Sequence, residues 1–284
     1  MKATGDWRPL GAVNPTSLGE ARQQAHFAVQ WLARASRAYI PARPDDSHTN
    51  MGWNGSFDGF LTHPLPGGTR LGLSISTLTL TLFASDGERA AMALPGRTDA
   101  YTRAWLGEQV RLLKLDPAAL DAPSPWEMPP HPLADGATYG GAALAIARTE
   151  LAAWFANADR SLEGLRTRYA DNASSVSPVR CWPHHFDLAT LISLEGGDPE
   201  HARSVNAGLS PGDGSYGEPY FYVSPWPYPD TAKLAPPPAV GHWHTEGFLA
   251  AVAQGSRIVA TAAPQAAAED FLEAAITAAI KALG

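Results

Sequence analysis

Three residues in the C-terminal half have side chains that could bind a metal ion together: His185, Asp187 and His244. Two imidazoles and a carboxylate suit a divalent ion such as Fe, Zn or Mn. A closely spaced His and Asp, followed much later by another His, is the linear order of a facial triad. His242 is a further candidate ligand, two residues before His244. The alternative is a buried polar network in which these groups bond to one another without a metal.

Nearby acidic and aromatic side chains could complete such a site. Glu218 and Glu246 are candidates for an additional ligand or for the general base. Arg257 follows His244 closely enough in the chain to hold the carboxylate of a substrate or co-substrate. Aromatic side chains of this region could line an amphipathic pocket, or they could form a thick core. The predicted substrate-binding residues are Tyr220, Tyr222, Trp226, Trp243 and Arg257.

Strand parity is the reason for grouping these residues. Val179–Leu194 is predicted to be one strand, in which alternate side chains share a face, so Cys181, His185 and Asp187 would point the same way. Cys181 could be a soft ligand, but a lone cysteine is more typical of an inert core position. His184 would lie on the opposite face.

The second histidine pair needs an extended segment as well. If Gly241–Thr245 is extended, His242 and His244 share a face and Trp243 lies opposite. A helix over Glu246–Gln254 is predicted to follow.

Two sequence motifs occur once in each half of the chain and predict a duplication. Trp53-Asn-Gly-Ser-Phe-Asp58 resembles Trp182-Pro-His-His-Phe-Asp187, and each is followed by a Gly-Leu-Ser, at Gly72–Ser74 and at Gly208–Ser210. The first copy has small residues where the second has two histidines. We therefore expect the first half to be a scaffold and the second half to hold the site.

The predicted fold class is α+β, with two tandem helix–three-strand–helix pseudo-repeats whose antiparallel strands form a shared sheet or two packed sheets, with helices outside. The predicted organisation is a first pseudo-repeat at 1–116, a Pro/Ala-rich connector at 117–140 and a second pseudo-repeat with a C-terminal helix at 141–284. The other predicted strands are Met51–Thr62, Leu71–Phe83, Ala90–Leu94, Ser204–Leu209 and Tyr220–Trp226. The other predicted helices begin at a Ser17–Glu20 capping box, at the Thr98 cap, near Gly141 and at Pro264.

Composition excludes several classes of protein. The chain has 284 residues, a formal charge of −7 and one cysteine, so an internal disulfide and a multi-cysteine zinc site are excluded. The acidic balance and the lack of a Lys/Arg cluster argue against nucleic acid as a partner. The chain has no apolar run long enough to span a membrane and no signal-peptide pattern. We expect a cytoplasmic protein whose partner is a small-molecule ligand.

Three motifs resemble those of an uncharacterised bacterial protein family of unknown function. They are W-P-H-H-F-D-L-A at Trp182–Ala189, S-P-G-D at Ser210–Asp213 and E-P-Y-F-Y-V-S-P-W at Glu218–Trp226. The resemblance implies no activity. In that family's pattern an acid often stands at the position of His184, which favours His185 and Asp187 over His184 as ligands.

The residues together predict a mononuclear metal-dependent enzyme acting on a small organic molecule, either a hydrolase or an oxygenase. Two alternatives stay open at this point. One is a non-catalytic small-molecule binding protein with an aromatic-lined pocket, and the other is a structural protein with a buried polar network.

Overall fold

The computed structural model describes residues 6–197 and 201–284. Its helices are α1 (Gly19–Tyr39), α2 (Asp99–Leu112), α3 (Ala145–Tyr169), α4 (Gly255–Val259) and α5 (Pro264–Leu283). Among the helices of these described residues, none combines the length and the apolar character needed to cross a membrane.

Two antiparallel sheets accompany the helices. The first has five strands in sequential order: β1 (Gly52–Asn54), β2 (Gly59–Leu61), β3 (Arg70–Ser74), β4 (Thr79–Ala84) and β5 (Gly87–Ala93). The second has seven strands: β6 (Ser175–Val176), β7 (Arg180–Trp182), β8 (Asp187–Ser193), β9 (Ser204–Ser210), β10 (Tyr220–Trp226), β11 (Gly241–His244) and β12 (Ala250–Gln254). Six of these follow the order β11–β12–β10–β9–β8–β6. The α+β class with antiparallel strands is therefore confirmed.

The chain divides into two compact units, which we describe separately. The first-sheet unit comprises Leu18–Ala152 and Cys181–Phe186. The second-sheet unit comprises the described residues of Met1–Ser17, Ala153–Arg180 and Asp187–Gly284. The chain passes from one unit to the other between Ser17 and Leu18, within α3, and on both sides of the segment 181–186.

In the first-sheet unit, α1 buries the stripe of small and apolar side chains that the sequence places on one helical face, including Ala21, Ala25, Ala28 and Leu32. This face packs near β3, whose Leu71 and Leu73 are fully buried. The capping box predicted at Ser17 is wrong, because Ser17 lies in a 3-10 turn and the residue preceding the helix, Leu18, makes no side-chain cap.

In the second-sheet unit, α3 and α5 cover one face of the sheet. Phe221 of β10 contacts the Trp154 ring of α3, with 6.4 Å between the ring centroids. An added Cβ at Gly241, which shares this face, would lie 2.4 Å from the Phe271 ring of α5. Side chains alternate along a strand, so Tyr220 and Tyr222 of β10 lie on the opposite face.

Three stretches predicted as single strands are interrupted by turns. Val179–Leu194 is broken at 183–186, so His184 and His185 lie in a turn and Phe186 has φ 58°. Met51–Thr62 and Leu71–Phe83 are broken in the same way. The parity argument that gave His185 and Asp187 a common strand face was therefore wrong, because alternation does not continue through a turn.

The helix predicted over Glu246–Gln254 was also wrong. This stretch contains β12, and the helix that follows, α4, begins only at Gly255. Ala250–Ala253 is fully or nearly fully buried between β10 and β11, and burial within a sheet outweighs the helical preference of alanine. Thr98 caps α2 as predicted, because its hydroxyl oxygen accepts the Tyr101 N–H at 3.2 Å. The predicted start of α5 at Pro264 is confirmed as well.

Candidate functional site

The face of the second sheet opposite α3 and α5 carries a row of polar and aromatic side chains, which we call the tyrosine face. Tyr222 of β10 pairs with Val252 of β12, and Val252 pairs with His242 of β11. Directly opposed residues of neighbouring strands share a face, so Tyr222 and His242 lie on the same side of the sheet. Tyr220 and His244 share it because they are two residues away along their strands.

A buried hydrogen bond joins two of the predicted site residues. The Tyr222 hydroxyl donates to Asp187 Oδ2 of β8 at 2.5 Å, and Asp187 is 7% exposed. Tyr222 must cross β9 to reach it, and its ring passes over Gly208. An added Cβ at Gly208 would lie 2.6 Å from Tyr222 Oη and 2.8 Å from Leu188 O. Glycine at this position is therefore a condition for the Tyr222–Asp187 contact.

A second carboxylate orders the loop 211–219 that precedes β10. Asp213 Oδ1 accepts the backbone N–H groups of Ser215 and Tyr216, at 2.8 and 3.0 Å. Its own N–H donates to Tyr216 O at 2.8 Å, and its Oδ2 accepts the Tyr220 hydroxyl at 2.5 Å. Asp213 thus fixes both the shape of the loop and its attachment to β10.

This loop places one phenol between two imidazoles. Tyr216 Oη lies 2.9 Å from His242 Nε2 and 2.9 Å from His244 Nδ1. All three side chains are half-buried, so solvent reaches this end of the tyrosine face. The His244 ring also stacks on Phe248, with 4.1 Å between centroids and 25° between planes. The two histidines predicted to share a strand face do so in β11, and both address the same oxygen.

The backbone fixes the tautomer of His244. Its Nε2 lies 2.6 Å from Glu246 O, and because a carbonyl can only accept, Nε2 is the donor. In the neutral ring Nδ1 then carries a lone pair and accepts the Tyr216 hydroxyl proton. The Tyr216 oxygen in turn accepts Nε2–H from neutral His242. Desolvation, followed by the charges of Arg257 and His244, lowers the pKa of His242 and favours this neutral form.

Burial also keeps the phenols protonated. Desolvation, and then Asp213, raises the pKa of Tyr216 and more strongly that of Tyr220. Desolvation and Asp187 raise the pKa of Tyr222 well above its ordinary value. At neutral pH the three tyrosines are therefore hydrogen-bond donors to carboxylates or imidazoles.

The two glutamates predicted for catalysis have different surroundings. Glu218 is 6% exposed, and its carboxylate accepts from Gln254 Nε2, from Ser256 Oγ and from the Ser256 N–H, at 3.0, 2.9 and 2.6 Å. These contacts join the loop before β10 to the start of α4. Glu246 is exposed, and its backbone carbonyl is the group that contacts His244.

The remaining predicted substrate-binding residues lie around the loop 227–240. Trp243 Nε1 donates to Ala235 O at 2.8 Å, and an Arg257 nitrogen donates to Ala239 O at 2.9 Å. Arg257 is exposed, with further N–H groups on its guanidinium. Trp226 is 42% exposed and packs edge-on against Tyr228, with 5.5 Å between ring centroids.

His184 and His185 belong to the first-sheet unit, in the turn after β7. Their rings lie 4.2 Å apart, and His184 contacts Trp126. Pro183 O accepts from His26 Nε2 at 2.9 Å and from Gln30 Nε2 at 2.8 Å, so α1 holds this turn. Cys181, in β7, is fully buried.

Within residues 6–197 and 201–284, no three His, Cys, Asp or Glu side chains are grouped so that they could hold a metal ion. The structure instead brings His242 and His244 together on Tyr216, and places Asp187 on Tyr222. The assignment of His185, Asp187 and His244 as one ligand set stays a prediction.

Asp213 was not predicted to be a site residue, and Tyr216 was predicted only as one of the aromatic side chains that could line a pocket. Their contacts cross from a loop to a strand, and no periodicity indicates such a contact. One signal was present: Asp213 is the last residue of the Ser-Pro-Gly-Asp motif, which follows a strand directly and begins the loop that carries Tyr216.

These features define an α+β protein with two antiparallel sheets and a tyrosine–histidine–aspartate cluster on one of them. The chain belongs to a family of unknown function (DUF5996), whose family model matches residues 13–284. The expectation of an uncharacterised family, based on the three motifs, is confirmed. No curated protein and no solved structure matches the chain.

Proposed function

We propose that the protein is a metal-dependent enzyme acting on a small organic molecule, with a mononuclear centre at His242 and His244. One observation carries the proposal: two imidazole nitrogens from alternate positions of β11 lie 2.9 Å from the same oxygen, at a place that solvent reaches. Two converging imidazoles are a common foundation for binding Zn, Fe, Cu or Mn.

The backbone contact of His244 supports the assignment. A metal-binding histidine usually donates its other ring N–H to a carbonyl or carboxylate, which fixes the tautomer that presents a lone pair to the metal. His244 has this arrangement, because Nε2–H donates to Glu246 O and leaves Nδ1 facing the Tyr216 oxygen. Metal–nitrogen distances are about 2.0–2.1 Å, so an ion at this place requires the side chains to close around it.

The surroundings suit a small substrate with an acidic group. A metal with few protein ligands keeps open positions, where it polarises a bound carbonyl or activates a bound water. Arg257 has exposed N–H groups and contacts Ala239, three residues before His242. A substrate carboxylate on Arg257 would bring the rest of the molecule toward the two histidines.

A second candidate function is a binding protein without a metal. The observation in its favour is that Tyr216 hydrogen-bonds to one nitrogen of each imidazole, so the three side chains already bond to one another without a metal. In that case Tyr216 and the histidines would orient a polar ligand above the aromatic side chains of the tyrosine face.

Metal titration separates the two functions. The full chain, purified without an affinity tag and treated with chelator, is titrated with Zn, Mn, Fe(II) and Cu(II) in a calorimeter. We expect one site for at least one of these ions, and we expect His242→Ala and His244→Ala each to abolish it. The absence of stoichiometric binding for every ion would remove the enzyme proposal and leave the binding protein.

His185→Ala and Asp187→Asn provide the matched comparison. If the centre lies at His242 and His244, His185→Ala binds metal as tightly as the unchanged chain. If the predicted set of His185, Asp187 and His244 is the true one, His185→Ala and Asp187→Asn lose the metal and His242→Ala retains it. In either case, small carboxylic acids are then added to the metal-loaded protein and to its Arg257→Gln variant. We expect them to stabilise the unchanged protein more than the variant.

A further inference from the structure

We propose that Tyr216 is the third protein ligand of this centre, binding the metal through its phenolate oxygen, and that Asp213 is the positioning residue that holds it there. The inference rests on the proposed function, because it assigns roles around the same metal. The inference also depends on an observation of its own. Asp213 holds the loop 211–219 together, and this loop places the Tyr216 oxygen within hydrogen-bond distance of both histidines.

The position of Tyr216 Oη is what a three-ligand centre requires. The oxygen lies 2.9 Å from each of the two imidazole nitrogens, so all three donor atoms are within reach of one ion once the side chains close around it. A cation held by these atoms would exchange two hydrogen bonds for three coordinate bonds.

The proton balance of the step is definite. Before metal binding, His242 Nε2–H donates to the Tyr216 oxygen, and the Tyr216 hydroxyl donates to His244 Nδ1. On binding a divalent ion, the Tyr216 O–H bond breaks, a metal–oxygen bond forms, and the phenolic proton leaves to the buffer. The proton of His242 moves from Nε2 to Nδ1, which frees the Nε2 lone pair for the metal. The metal keeps its oxidation state, and one proton is released for each ion bound.

Asp213 would act through Tyr216 and not by touching the metal. It makes four hydrogen bonds: it accepts from two backbone N–H groups of the loop and from the Tyr220 hydroxyl, and it donates its own N–H to Tyr216 O. Tyr220 is 5% exposed and belongs to β10, so the loop is fastened to a rigid strand. A ligand held in advance loses less conformational entropy when it binds.

The first test counts protons and looks for the metal–phenolate bond. Cu(II), the most strongly bound divalent ion of the first-row series, is titrated into the full chain at pH 8 in two buffers of different ionisation enthalpy. We expect about one proton released per copper and a visible phenolate-to-copper charge-transfer band. Tyr216→Phe should bind copper at least tenfold more weakly, release no proton and show no band, while the exposed Tyr228→Phe behaves like the unchanged chain.

The second test examines Asp213 with a conservative rescue. Asp213→Ala should weaken copper binding by about 10–100-fold, the usual effect of losing a supporting contact. Asp213→Asn keeps an oxygen for the two loop N–H groups and should retain most of the affinity and the charge-transfer band. Asp230→Ala, which removes a similar capping carboxylate elsewhere in this unit, should have no effect on copper. Circular dichroism shows whether each variant is folded.

The outcomes separate this inference from the proposed function. If copper binds and depends on His242 and His244, but Tyr216→Phe keeps the affinity, the proton count and the band, the third ligand is not Tyr216 and only this inference is overturned. If Asp213→Ala and Asp213→Asn both bind like the unchanged chain, Asp213 has no positioning role. If the unchanged chain binds no metal, the proposed function fails first and the inference fails with it.

Discussion

A Gly-Leu-Ser sequence ends a central strand in each of the two sheets, and the strand beside it differs. In the first sheet, Gly72 and Ser74 of β3 pair with Thr81 and Thr79 of β4. In the second sheet, Gly208 and Ser210 of β9 pair with Tyr222 and Tyr220 of β10. The same backbone pairing therefore presents short hydroxyl side chains in one sheet and long ones in the other.

The two glycines consequently lie under different chemistry. An added Cβ at Gly72 would meet the ends of Leu61, Phe57 and Phe83, which are apolar, and the two phenylalanine rings pack edge to face. Gly208 lies under a tyrosine that reaches a buried aspartate. Gly72 therefore leaves room for apolar side chains in the first sheet, whereas Gly208 leaves room for a polar contact in the second. The duplication suggested by the sequence stays a prediction, but this comparison does not depend on it.

The loops that follow the two Gly-Leu-Ser strands differ in length. Four residues, 75–78, connect β3 to β4, whereas nine, 211–219, connect β9 to β10. The longer loop carries Asp213 and Tyr216, and so it supplies the half-exposed part of the candidate site. The strand pairing alone builds a scaffold, and the longer loop adds groups that can do chemistry.

The largest expected effect comes from filling the space above Gly208. In Gly208→Ala the new Cβ would be 2.6 Å from Tyr222 Oη and 2.8 Å from Leu188 O, which is backbone and cannot move aside. We expect a loss of about 3 kcal/mol in the free energy of unfolding. In Gly72→Ala the nearest atoms are ends of side chains, at 2.6 and 2.8 Å, so the expected loss is about 1 kcal/mol. Urea unfolding measures both, and equal losses would contradict the comparison.

The next effect comes from removing one hydroxyl in each sheet. Tyr222→Phe deletes the hydrogen bond to the Asp187 carboxylate, and a hydrogen bond to a charged group contributes about 2 kcal/mol. Thr81→Val removes a hydroxyl at the corresponding position of the first sheet, where a neutral group contributes about 0.5 kcal/mol. Unfolding in urea at pH 7 would show the difference. A Tyr222→Phe protein as stable as the unchanged chain would mean that the Asp187 contact contributes nothing.

The turn at 55–58 and the turn at 183–186, each one strand before a Gly-Leu-Ser strand, are held by different side chains. We expect stability to depend on pH through the second turn. The turn at 55–58 follows Asn54, whose own side chain holds it, whereas the turn at 183–186 is held by His26 and Gln30 through Pro183 O. Burial lowers the pKa of His26 to about 4; the Pro183 hydrogen bond opposes this, and the nearby charges of Arg22, His185 and His184 add to it.

The sign of this pH effect follows from proton binding. Between about pH 6.5 and pH 4 the unfolded chain protonates His26 and the folded chain does not, so stability falls as the pH falls through this window. His26→Gln keeps a donor for Pro183 O and has no titrating ring. We expect the midpoint of urea unfolding to decrease less between pH 7 and pH 4.5 in this variant than in the unchanged chain. Identical decreases would show that His26 is protonated in the folded protein.

Much of the fold could be predicted from sequence, because its signals are local. Thr98 and Pro264 mark helix starts, and the alternation in Tyr220–Trp226 gives β10 its full length. The turns were harder. In Leu71–Phe83 the turn at 75–78 contains no Gly, Pro or Asn, and within it only the pair Ser76-Thr77 interrupts the alternation of polar and apolar residues. Leu78 has φ 50°, a conformation that leucine rarely adopts and that its type does not indicate.

The candidate site shows the same limit. Parity along β11 correctly paired His242 with His244, because the segment is a strand. Parity failed for His185, which lies in a turn. Asp213 and Tyr216 depend on a loop folding back onto two strands, and residue periodicity contains no information about that contact.

The smallest expected effect lies in the turn at 55–58. Asn54 Oδ1 accepts the backbone N–H groups of Ser56 and Phe57, at 3.1 and 2.9 Å, and Ser56 is exposed. In Asn54→Ala, water replaces part of what is lost, so the expected cost is about 0.5 kcal/mol. Asn54→Asp keeps an acceptor oxygen and should cost less. The measurement is thermal unfolding of both variants and of Gln30→Ala, which removes the buried donor that α1 supplies to the turn at 183–186. A larger loss of stability for Asn54→Ala than for Gln30→Ala would contradict this expectation. The turn at 55–58 would then depend more on its side-chain hydrogen bonds than the turn at 183–186 does.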